Sequence, residues 1–70
     1  MASDMHIRLN GEPRSFPAGT TLYGLVQALE LAPERVAIEL NREIVKRDSW
    51  GATQVESGAE VEIVMFVGGG

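Results

Sequence analysis

The residues with the most chemistry to offer are Gly68, Gly69 and Gly70, which follow Phe66 and Val67 at the end of the sequence. Glycine lacks a Cβ, so such a run keeps its backbone freedom and can enter a channel too narrow for side chains. Fully extended, Val67 to Gly70 would reach about 14 Å at roughly 3.4 Å per residue. A carboxylate on Gly70 is then expected to be carried clear of the domain and into the active site of another protein. By itself that carboxylate is a poor electrophile, because its oxygen is a bad leaving group. Attack on the α-phosphate of ATP turns it into an acyl-adenylate, from which AMP departs readily. A sulfur nucleophile would then give a thiocarboxylate, and an amine or thiol an amide or thioester. Nucleotide, metal and acid–base groups would all belong to the partner, so the chain reads as a protein co-substrate and not as an enzyme. The bland alternative is a frayed or appended end; the direct continuation from an apolar strand favours the chemical reading.

Other reactive side chains offer less. His6, the single histidine, alternates outward on a strand with no partner at a useful spacing and reads as surface. Glu60 and Glu62 share a strand face, where a solvated or partner-facing edge is the simpler reading than an acid–base pair. Arg42, Lys46 and Arg47 form a small basic cluster, of which Arg42 and Arg47 are candidates for partner contact. Trp50 is either a plug over the edge of the core or an interface anchor, tryptophan being favoured at binding hot spots. Phe66 and Val67, at the base of the glycines, would make an apolar docking patch if exposed. No metal site is expected. The absence of cysteine excludes disulfides, thiolate metal sites and thiol nucleophiles.

The elements that must position this tail follow from hydrophobic periodicity. Met5, Ile7 and Leu9 alternate with His6 and Arg8, the period of a half-buried strand. Asn10-Gly11 signals a hairpin, with a return strand over about 12–16 stopped by Pro17-Ala18-Gly19. A two-residue loop would bring Arg14 to the apolar side, so the type of turn stays open between that and a bulged form. From Thr20 the period changes: Leu22, Leu25, Val26 and Leu29 make one stripe of a helix, capped by Thr20 or Thr21 and prevented by Pro33 from running beyond Leu31. Gly24 inside it marks either close helix–sheet approach or a tolerated defect. Val36, Ile38 and Leu40 form a third strand, turned at Asn41-Arg42 into a short fourth at Ile44-Val45. Residues 46–52 read as polar and irregular around Trp50. Val61, Ile63 and Met65 (or Val64 and Phe66 on the other face) form the last strand, whose apolar run from Ile63 predicts burial on both faces and a central position. The order β-β-α-β-β-β predicts a compact α+β roll, a mixed five-stranded sheet with one main helix on one face, and a right-handed crossover would set the last strand beside the first. The expected organisation is a domain over 1–66 and a flexible glycine tail over 67–70.

Composition narrows the partners. Seventy residues allow one core and leave little room for an internal active-site cavity. A hydrophobic content of 44% with 23% charged residues is that of a globular chain. A net charge of −4 argues against broad contact with nucleic acid or an anionic membrane. Nothing at Met1-Ala2-Ser3-Asp4 has the pattern of a secretory signal, and the longest apolar run, 63–67, is too short to span a bilayer. A soluble, cytoplasmic protein is the expectation.

Four stretches carry a resemblance: Ala37-Ile38-Glu39-Leu40-Asn41-Arg42-Glu43-Ile44-Val45, Arg47-Asp48-Ser49-Trp50, Gly58-Ala59-Glu60-Val61-Glu62-Ile63-Val64, and Phe66-Val67-Gly68-Gly69-Gly70. Together they resemble the ThiS family, the sulfur carriers of thiamine thiazole synthesis, over nearly the whole chain from Met5. The Leu-Asn-x-Glu-Ile-Val and Arg-x-x-Trp pairing is the specific part. Gly-Gly alone would equally fit MoaD-like carriers for the molybdenum cofactor or ubiquitin-like modifiers conjugated through Gly70. Lys46 stands where the family often has proline, and Met1 to Asp4 extend the usual start. The resemblance implies a ubiquitin-like β-grasp fold, adenylylation of Gly70 by a ThiF-like enzyme using ATP and magnesium, and sulfur from a cysteine-derived persulfide. It also implies delivery of that sulfur to thiazole synthase (ThiG). The missing cysteine agrees with this, since the thioethers of Met1, Met5 and Met65 cannot hold transferable sulfur and the terminal carbonyl can.

Overall fold

The computed structural model describes residues 3–66. Strands β1 (Asp4–Leu9) and β2 (Glu12–Pro17) form the first hairpin. Asn10 and Gly11 make its two-residue turn with φ of 52° and 83°, the primed geometry whose twist matches that of the strands. In this register Met5 faces Phe16 and Ile7 faces Arg14. The conflict over Arg14 is resolved by its place on an edge strand. Its guanidinium lies 5.7 Å from the Phe16 ring centroid, so the charge stays in water above a ring that is itself buried.

Helix α1 (Leu22–Ala28) starts at Thr21, whose Oγ1 accepts the Gly24 N–H at 3.0 Å. Leu22, Leu25 and Val26 are fully buried, each burial contributing about 1.5–3 kcal/mol. The helix stops short of the limit set by Pro33. Glu30 adopts a left-handed φ of 58°, and the Glu30 and Leu31 N–H groups donate back to the carbonyls of Gln27 and Val26. This is a Schellman closure made without glycine, and it acts before proline can. Gly24 also differs from expectation: an added Cβ would meet Thr20 Cγ2 at 3.0 Å and Thr21 Oγ1 at 3.4 Å. The glycine therefore makes room for the cap, not for the sheet.

A 3-10 turn (Pro33–Arg35) leads into β3 (Val36–Leu40), which Asn41 and Arg42 turn into β4 (Glu43–Val45) with φ of 51° and 73°. The segment read as irregular contains one helical turn, α2 (Arg47–Trp50). Four residues are too few to display a helical period; tertiary contacts hold the turn instead. Trp50 is 1% exposed, with its indole N–H donating to the Val45 carbonyl at 2.8 Å, and the Thr53 hydroxyl donates to the Ser49 carbonyl at 2.7 Å. The chain then crosses the start of α1, where Leu22 N–H meets Thr53 O and Val55 N–H meets Thr20 O, each at 3.0 Å.

Strand β5 (Glu60–Met65) completes a sheet of order β2-β1-β5-β3-β4, parallel to β1 and antiparallel to β3. The last strand thus lies beside the first and in the centre, as the crossover rule requires. It is not buried on both faces. Val64, Met65 and Phe66 are 57%, 57% and 55% exposed, because α1 covers one face only. Val64 points to the open side. Met65 shares the covered side with Ile63 but lies beyond the helix, whose seven residues measure about 10 Å against about 20 Å for a six-residue strand. Among the described residues no helix is long and apolar enough to cross a membrane.

Candidate functional site

The site is built outward from the end of β5. Glu62 and Val64 pair with Glu39 and Ala37 of β3, and the Phe66 N–H continues the pairing by donating to the Arg35 carbonyl at 2.8 Å. The backbone is thus held up to Phe66. Val67, Gly68, Gly69 and Gly70 lie outside the described residues.

Two asparagines hold the flanks of β5, both from positive-φ positions in hairpin turns. At the start, Asn41 N–H donates to the Glu60 carbonyl at 2.7 Å and Asn41 Oδ1 accepts the Glu60 N–H at 3.0 Å. On the opposite flank, Asn10 N–H donates to the Val61 carbonyl at 2.9 Å and Asn10 Oδ1 accepts the Ile63 N–H at 2.8 Å. Both residues read in the sequence as turn formers alone; side chains bonding across 53 residues from Asn10 and 19 from Asn41 leave no local signal.

The open face of the sheet divides along β5. Near its start, Arg8, Glu39, Arg42, Glu60 and Glu62 line a shallow charged depression of about 390 Å³. Near its end the face turns apolar at Val64, opposite Ala37; Ile44, 76% exposed, stands two strands from β5 on the rung of Glu39 and Glu62, at the outer side of the charged depression. By alternation Phe66 extends this apolar side. Among the described residues no group of three or more His, Cys, Asp or Glu could hold a metal ion.

The candidates from the sequence scatter over this surface. Phe66 is exposed at the base of the tail. Arg42 lies at the far end of β5, in an exposed ion pair with Glu60 at 3.6 Å, a contact that contributes little in water. Arg47, exposed, opens α2 beyond β4, so a whole strand separates it from Arg42. Trp50 is corrected as a partner contact: it is buried and its N–H is satisfied within the chain, so it serves the core. His6 stays on the surface, its Nδ1 2.9 Å from Ser15 Oγ across the hairpin. Sequence reasoning missed the exposure of Ile44 and Val64. A strand of three residues is too short to reveal which face Ile44 takes, and Val64 sits in a run that looks wholly buried.

A family model described as the ThiS family matches residues 7–70. A thiazole synthase of Magnetococcus marinus is 48% identical over 66 residues, which are 94% of this chain but 20% of that protein. The chain therefore spans about a fifth of that relative. The sulfur carrier protein ThiS of Escherichia coli is 27% identical over 94% of this chain and 100% of its own length. Among solved structures, the crystal structure of the thiamine biosynthesis protein ThiS from Geobacter metallireducens superposes with a TM-score of 0.81 at 36% identity, covering 94% of this chain and 100% of that one. The five-stranded mixed sheet and single main helix are the β-grasp architecture of that neighbour.

Proposed function

The chain belongs to the ThiS family, whose model matches residues 7–70, and from that premise we propose that Gly70 is the residue on which it carries sulfur. The observation that supports this most is the reach of the match through Gly70, four residues past the point where the central strand delivers the backbone at the rim of an exposed apolar face. In the proposed reaction the Gly70 carboxylate attacks the α-phosphorus of ATP in the site of a ThiF-like adenylyltransferase, with magnesium supplied there, and pyrophosphate leaves. Hydrosulfide attacking the acyl carbon expels AMP and leaves a thiocarboxylate. With a cysteine-derived persulfide as donor, the same attack leaves an acyl disulfide, and a second thiol then cleaves the sulfur–sulfur bond to release the thiocarboxylate. The acceptor is a thiazole synthase (ThiG). The M. marinus protein of that name contains a stretch like this chain within a longer polypeptide, which favours a thiamine role over a molybdenum one. Val64 and Phe66 provide the apolar contact with these enzymes, with Ile44 further out on the same face, in the cytoplasm where the substrates meet.

The test is incubation with a ThiF-like enzyme, ATP, magnesium and sulfide. The intact mass is expected to change by one oxygen-for-sulfur exchange, and one residue added after Gly70 is expected to abolish the change with the fold intact. Exchange that survives the blocked terminus overturns the proposal. High-mass adducts would mark a ubiquitin-like modifier, and transfer to a molybdopterin synthase in preference to a thiazole synthase would mark the MoaD-like alternative.

A further inference from the structure

Strands β1 and β5 pair in parallel, among the described residues, only at Arg8–Leu9 with Glu60–Val61. After Leu9 the main chain of β1 turns into its hairpin, so the next rung on β5, at Ile63, has no main-chain partner on that flank. The Asn10 side chain stands in its place: Oδ1 accepts the Ile63 N–H at 2.8 Å, and Nδ2 faces the Ile63 carbonyl at 3.4 Å. A carboxamide offers the same donor and acceptor as a peptide unit, so it lengthens the ladder by one step toward Phe66. The turn does not require this. A primed turn asks for a residue that tolerates positive φ, and glycine satisfies that as well as asparagine.

We propose that Asn10 is a positioning residue for the reactive tail: its carboxamide replaces a missing strand residue and holds the outgoing half of β5, and with it Val64 and Phe66, in register for docking. The inference rests on the reading of Gly70 as the group acted upon. Asn41 supplies an internal comparison. It has the same backbone conformation and a similar bond to β5, but at Glu60, about 20 Å of strand from Phe66.

The experiment uses the full chain in three forms: unaltered, Asn10→Gly and Asn41→Gly, glycine keeping both turns open to positive φ. Pyrophosphate exchange into ATP by the adenylylating enzyme is measured against carrier concentration, beside amide hydrogen exchange. Asn10→Gly is expected to raise KM for the carrier about fivefold with kcat unchanged, and to speed exchange at the Ile63 amide about tenfold. Asn41→Gly is expected to leave KM unchanged and to loosen Glu60 alone. Asn10→Asp, which keeps the acceptor but loses the donor, is expected to fall between. An Asn10→Gly chain with unaltered KM, or an equal rise in Asn41→Gly, overturns the proposal. If the unaltered chain supports no pyrophosphate exchange, the Gly70 reading fails instead, and an Ile63 amide still protected in Asn10→Gly would then dispose of the carboxamide's role on its own.

Discussion

Ile38 and Ile44 are the same residue type on neighbouring strands of one sheet, yet one is 1% exposed and the other 76%. The difference is the side of the sheet each faces. On Ile38's side α1, Trp50 and Val55 complete a core; on Ile44's side nothing among the described residues covers the strands. Burial accounts for the first isoleucine without appeal to function. The second contributes almost nothing to folding free energy where it stands, on the uncovered face that also carries Val64.

Substitutions can break or sharpen that contrast. The largest stability loss is expected on the covered side: Trp50→Ala removes the plug and its bond to Val45, and should cost about 3–5 kcal/mol in a denaturant melt. A loss below about 1 kcal/mol would show that the plug is dispensable. Thr21→Ala, which strips the cap from α1 but leaves the core untouched, should cost about 1 kcal/mol, visible as a lower midpoint at unchanged slope. Ile44→Ser on the open side should shift stability least, within about 0.5 kcal/mol, while weakening capture by the adenylylating enzyme in the same pyrophosphate-exchange assay. If Ile44→Ser instead melts early and is captured normally, the two sides of the sheet are not divided as described.

What the sequence discloses follows the same division. Leu22, Leu25 and Val26 repeat at a helical spacing and Met5, Ile7 and Leu9 at a strand spacing, so the part of the covered side that they build is legible in the sequence. The hairpin turns are legible because Asn-Gly and Asn-Arg tolerate positive φ. Three features escape. Arg47–Trp50 is shorter than one readable period and is held by an indole anchored at Val45. The end of α1 depends on Glu30 accepting a conformation that sequence preference assigns to glycine. The exposure of Val64 and Met65 depends on how far α1 reaches, a property of another element. Of the site, Phe66 is exposed as its position suggests; Ile44, Val64 and the long-range bonds of Asn10 and Asn41 become apparent only when strands distant in sequence are brought together.

The hairpins β1–β2 and β3–β4 share no edge; β5 alone joins them. An isolated hairpin is barely stable in water, and the bonds that weld these two into a sheet link positions as far apart as Asn10 and Ile63, a topology that folds slowly. Until the residues from Glu60 onward have been made, the two hairpins therefore have no strand to assemble around. A chain stopped before Glu60 is expected to leave the two hairpins unjoined, and the sheet to form only once β5 is present.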